Sequence, residues 1–156
     1  MADFKENIER GLRAHQVTLR HRAEISEVLN ELNEQMLAST NGKVGAKVKD
    51  LRLSIVESVE LGNEMSSAIV AVSTAYPDIF KRIAFIVIPP SAYPVTLVYN
   101  RDRIACKDRP SFEATLGSIL AQPPTGKAIL DIMEYVPQNV SRLAEPPSTT
   151  NAEEPS

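Results

Sequence analysis

Few side chains in this sequence combine reactive chemistry with useful spacing. The only imidazoles are His15 and His21. Six positions along one helix turn them about 240° apart at 3.6 residues per turn, so they cannot ligate one metal ion together. His21 and Glu24 share a face at i, i+3, which reads as a surface or interface pair. Cys106 is the single cysteine. It alternates inward with Ile104 and has no histidine nearby in sequence, so it reads as a small buried hydrophobe and not as a nucleophile. One cysteine also excludes an intrachain disulfide and a tetrahedral cysteine zinc site.

Residues 121–128 (AQPPTGKA) come nearest to a phosphate-binding loop. Such a loop needs G-x-x-x-x-G-K followed by Ser or Thr, because backbone N–H groups cradle the phosphates and the hydroxyl binds magnesium. Here Ala121 stands at the first glycine position, Pro123 and Pro124 remove two donors, and Ala128 has no hydroxyl. A joint between two helices explains the same residues. Asp78, Asp102, Asp108, Glu113 and Asp131 fall near the expected ends of elements, where active sites often sit. No pair of them comes with a recognisable partner lysine or glycine-rich turn, and the nuclease-like start Pro77-Asp78 is not completed by a later acid, spacer and lysine. A small metal-dependent hydrolase or nuclease using Asp78 or Asp102 is therefore the last of three functional expectations. No catalytic residue, metal ligand or cofactor is assigned.

The elements that must position these groups follow from composition and period. The chain has 156 residues, 17 basic against 20 acidic side chains, a net charge of −3, 43% hydrophobic residues and 11 prolines. That length suits one domain with a core of its own. The charge argues against coating nucleic acid through a global field. The first residues, MADFKENIERGLR, carry charges where a signal peptide needs an apolar stretch, and the apolar run 83–90 is far short of the ~20 residues that span a bilayer. The expectation is a cytoplasmic protein with no membrane partner.

Residues 1–38 contain no proline and are rich in good helix formers, with Ile8, Leu12, Leu19, Ile25, Leu29, Leu32 and Met36 at helical spacing. Gly11 is a possible break, and Ser39 to Gly42 supply a stop. Over 44–107 the period becomes two. Val48, Leu51, Leu53, Ile55 and Val59, a turn at Gly62-Asn63 and the run 68–72 suggest a hairpin. Residues 83–88 (IAFIVI) suggest a central strand buried on both faces, ended by Pro89 and Pro90. Two further strands, 95–99 and 103–107, flank a turn at Asn100, Arg101 and Asp102. Over 108–137 Asp108 caps a helix starting near Pro110, with Phe112, Leu116, Ile119 and Leu120 inward. Thr125 is the expected cap of a second, with Ile129, Ile132, Met133 and Val136 inward. The fold class is α+β: a long N-terminal helix, a meander-like antiparallel sheet of four or five strands and two short C-terminal helices. These make one domain over 1–143, and 144–156 (AEPPSTTNAEEPS) is a disordered acidic tail by composition.

Two features bear on association. The stretches 69–77 (IVAVSTAYP) and 86–94 (IVIPPSAYP) share five of nine positions. They suggest two strands leaving the sheet by similar turns, with Tyr76 and Tyr93 offered to a partner at one rim. In the first helix, Arg10, Arg13, Arg20 and Arg22 form a basic block, and Glu24, Glu27, Glu31 and Glu34 an acidic one. That order opposes the helix dipole, so something else must compensate it. Two such helices laid antiparallel, crossing near residues 22 and 23, would set each basic block beside an acidic one. The leading expectation is thus a non-catalytic, accessory, chaperone-like or inhibitor-like protein-binding module. It would be a coiled-coil homodimer through Leu12, Arg13, Leu19, Arg20, Arg22, Glu24, Glu27, Leu29 and Glu31. The first alternative is nucleic-acid binding through the arginine block, which no aromatic residue interleaves.

Overall fold

The computed structural model describes residues 3–51 and 67–137. Along the chain come α1 (Phe4–Ser39), β1 (Val44–Asp50), β2 (Ser67–Ser73), β3 (Phe80–Val87), β4 (Val95–Tyr99), β5 (Asp102–Cys106), α2 (Arg109–Leu120) and α3 (Pro123–Met133). This is the α+β layout expected from the sequence, with the sheet five strands wide. Leu53, Ile55, Val59, the Gly62-Asn63 turn and the tail from Ala144 lie outside the described residues.

Helix α1 starts where the Asp3 carboxylate accepts the Glu6 N–H at 3.1 Å. It passes through Gly11 as unbroken helix, so the break considered there is not made. Asn41 and Gly42 take φ values of 54° and 77°, and the Gly42 N–H bonds the Leu37 carbonyl at 2.7 Å. That left-handed exit closes the helix and turns the chain into β1.

Every strand pairs antiparallel with its sequence neighbour, in the order β1-β2-β3-β4-β5. β3 is central and buried on both sides. Ile83, Ala84 and Ile86 join the core under the helices, while Phe85 packs with Ala68, Val70 and Val98 on the other face. The register shifts between Ile69 and Val70, where Ile69 faces Ala84 and Val70 faces Arg82. Ile83 is the extra residue of this bulge, which lets two successive residues turn to one face. The β4–β5 turn is tight, with φ of 55° at Asn100 and 73° at Arg101. Both signs are those a two-residue hairpin requires, so Asp102 belongs to β5 and not to the turn.

The main core gathers Ile25, Val28, Leu32 and Met36 of α1, Phe112, Leu116 and Ile119 of α2 and Ile132 of α3 over that sheet face. Asp108 caps α2 as expected, in a reciprocal box with Ser111. Thr125 does not cap α3. Two prolines with preset φ start that helix at Pro123, leaving Thr125 inside the first turn, where its buried hydroxyl donates to the Ile119 carbonyl at 2.9 Å. Val136 lies beyond the end of α3 and is exposed, not inward.

The β1 edge of the sheet is closed by α1 and the turn after it. The Thr40 hydroxyl accepts the Val44 N–H at 3.0 Å and donates its one proton to the Met36 carbonyl at 2.8 Å. Asn33 Oδ1 accepts the Ala46 N–H at 2.9 Å. These groups would otherwise invite another strand. Gly45 permits the approach, since a Cβ there would lie 2.7 Å from Asn33 Oδ1. Gly45→Ala is expected to displace Asn33 and leave the part-buried Ala46 amide unsatisfied, at a cost of about 1–3 kcal/mol in urea denaturation. Asn33→Ala should cost a similar amount. Because both break one hydrogen bond, the double variant is expected to lose clearly less than the two separate losses together.

Candidate functional site

Helix α1 is far longer than the sheet that carries it. Its 36 residues extend about 54 Å at 1.5 Å per residue, against about 26 Å for the eight residues of β3. Burial begins only at Ile25, and every residue from 3 to 17 is exposed. Residues 4–21 therefore form a free arm of roughly 27 Å. Phe4, Ile8, Leu12 and Leu19 on this arm are 70%, 62%, 61% and 49% exposed. At about 100° per residue these four fall within an arc of roughly 80°, with His15 among them. The arc is turned about 100° from the stripe of Ile25, Leu32 and Met36 that faces the core. The exposed face is thus a separate apolar surface, not a continuation of the buried one.

Where the arm leaves the body, the loop between β3 and β4 holds it. Arg22 Nη2 donates to the Pro90 carbonyl at 2.9 Å, and the Tyr93 hydroxyl donates to Glu24 Oε1 at 3.1 Å. The His21 ring meets the Tyr93 ring edge-on, with centroids 5.1 Å apart. Burial, with the Glu24 carboxylate next, pushes the Tyr93 phenol up to about 12.

Further along α1, Arg109 gathers carboxylates from two helices. It reaches Glu27 at 2.8 Å and Glu31 at 3.2 Å on α1, and Glu113 at 2.9 Å on α2. These acids, Glu113 first, hold the guanidinium well above its ordinary range. Three of the four glutamates of the acidic block thus have partners within the chain: Glu24 accepts from Tyr93, and Glu27 and Glu31 pair with Arg109. Sequence reasoning passed over Arg109, although a signal existed: a cation in the first turn of α2 opposes the helix dipole and calls for nearby acids.

The other residues singled out in the sequence disperse. Arg13 and Arg20 are exposed on the arm, about 120–140° around the helix from the centre of the apolar arc. Leu29 packs against the main core. Tyr76 and Tyr93 do not share a rim, because antiparallel β2 and β3 exit at opposite ends of the sheet. Tyr76 is 41% exposed and packs edge-on against Tyr135, with centroids 5.4 Å apart.

Three of the loop carboxylates have structural partners. Asp108 caps α2, and the Ser111 N–H lowers its proton affinity. Glu113 serves Arg109, and Asp131 pairs with Lys127 at 2.8 Å. Cys106 is fully buried, and burial pushes its thiol up. Among the described residues, no group of three or more His, Cys, Asp or Glu side chains is placed to hold a metal ion, and no helix is long and apolar enough to cross a membrane.

The hold on the arm is open to a pH test. Unfolded tyrosine ionises near 10. Folded Tyr93 ionises near 12. The stabilisation from its neutral form is thus complete below pH 10 and lost as pH rises toward 12. Absorbance at 295 nm should contain a component titrating near pH 12 that Tyr93→Phe removes. The same variant is expected to cost about 0.5–1.5 kcal/mol at neutral pH, through loss of the hydrogen bond to Glu24. No protein family, characterised protein or solved structure matches this chain.

Proposed function

We propose that this protein is a non-catalytic protein-binding module that acts as a homodimer through its N-terminal helix. The supporting observation is the free arm, with Phe4, Ile8, Leu12 and Leu19 aligned on one exposed face. Such a stripe, on a stretch of helix whose residues 3 to 17 are all exposed, is a surface for association. Burial of these side chains in a two-fold pair supplies the apolar driving term for association.

This reading replaces charge with apolar contact as the driving term. Glu24, Glu27 and Glu31 already have partners in their own chain. Arg13 and Arg20, turned away from the apolar arc, would face solvent in such a pair. Tyr76, at the far end of the sheet from the arm, is the exposed aromatic left for a further protein partner.

Sedimentation equilibrium is expected to show a dimer at micromolar concentration. Leu12→Glu combined with Leu19→Glu should raise the dissociation constant at least about 100-fold without loss of the body's cooperative melt. A wild-type chain that remains monomeric at about 100 μM would sink the proposal.

A second reading draws on Arg10, Arg13 and Arg20, which are exposed along the other side of the arm. These could follow a phosphate backbone. On that reading a DNA duplex shifts in a gel at low salt. Arg13→Ala with Arg20→Ala then lowers the slope of log affinity against log salt by about 2. No shift at low salt rejects it.

A further inference from the structure

A groove of about 380 Å³ runs between α1 and the β1 edge, with Ser26, Leu29, Asn30 and Asn33 on the helix side and Ala46, Lys47 and Val48 on the strand side. Val48 is 38% exposed there, an apolar side chain without a cover at the sheet edge. On the helical projection, Ser26, Asn30 and Asn33 fall in the same arc of about 80° as Ile8, Leu12, His15 and Leu19, and Leu29 lies at its border. One continuous helix therefore carries an exposed apolar stripe on its first half and one wall of the groove on its second half, both on the same side of the helical projection.

We infer that the groove is the seat of the arm from a second copy of this chain. The inference rests on the homodimer reading and specifies its geometry. A two-fold axis near residues 22 and 23 lays the helices antiparallel. Leu19, His15 and Leu12 of each chain then fall opposite Ser26, Asn30 and Asn33 of the other. A pairing confined to the two arms would leave both grooves empty. In the exchanged arrangement each apolar stripe meets Leu29 and Val48 of its mate. An arm of about 27 Å by 10–12 Å covers roughly 300 Å², so two arms, counted on both surfaces, bury a total of about 1,200 Å². That reaches the lower limit for a stable interface, which an isolated contact of one arm would not. Thr40 and Asn33 already occupy the outward N–H groups of Val44 and Ala46 on the β1 edge, which leaves that part of the edge fewer donors for an added strand.

Disulfide trapping separates the possibilities. In a Cys106→Ala background, Leu19→Cys with Ser26→Cys places two thiols about 10 Å apart along one helix, too far to bridge within a chain. Mild oxidation is expected to give a covalent dimer in which mass mapping finds position 19 of one chain joined to position 26 of the other. Each single variant should stay largely uncrosslinked. Val48→Glu, which lies off the arm, should weaken the dimer at least about tenfold by sedimentation. Efficient crosslinking of Leu19→Cys alone, or a dimer indifferent to Val48→Glu, would overturn the groove while leaving the homodimer standing. A monomeric wild-type chain would overturn both.

Discussion

The mismatch between a helix of about 54 Å and a sheet of about 26 Å is the constraint from which the rest of the molecule follows. Only the second half of α1 finds sheet beneath it, and there Ile25, Val28, Leu32 and Met36 are buried. That contact sets the axis of the helix, and the axis in turn fixes where the first half points. A helix without proline does not bend readily to follow a curved body, and Gly11, which has no neighbour within reach of a Cβ, offers no packing that would favour a bend there. The arm is thus the geometric remainder of the core contact.

The same contact organises the polar groups around it. With α1 seated beside β1, Asn33 and Thr40 reach the outward groups of the edge strand. The loop at Pro90 and Tyr93 comes level with Arg22 and Glu24, and the start of α2 comes level with Glu27 and Glu31. Each of these partners is distant in sequence: Arg109 and Glu27 stand 82 positions apart, and Tyr93 and Glu24 stand 69. They join α1 to the sheet and to α2. Of the acidic side chains that suggest catalysis in the sequence, Asp108, Glu113 and Asp131 serve as caps and clamps at element ends. A capping carboxylate and a catalytic one occupy the same kind of position in a sequence, and only their neighbours tell them apart.

Much of the fold was legible in the sequence because its signals are local. The period of the first 38 residues, the alternation after Val44, the doubly apolar run at residues 83–88 and Asp108 before Pro110 each state a backbone preference within a few residues. The misreadings arose where two local rules competed or where a partner was remote. Thr125 is a good cap by type, but the prolines before it start the helix earlier. Tyr76 and Tyr93 follow nearly repeated stretches, yet antiparallel strands send them to opposite ends. The charge blocks of α1 were plain, but Arg109, the residue that answers the acidic one, lies on another helix.

By itself, the sequence determined the kind and order of the elements and the helical spacing of the apolar residues along α1, since hydrophobic period, helix stops and turn residues act over one or two turns of chain. Only the tertiary structure decided which half of that helix would be covered. A stripe of leucines and isoleucines carries the same pattern whether it meets a sheet or water. The difference depends on how far the sheet extends, and that length is set by strands lying beyond the helix in the chain. It also gave Glu24, Glu27 and Glu31 partners in their own chain, while the apolar face of the arm stays exposed.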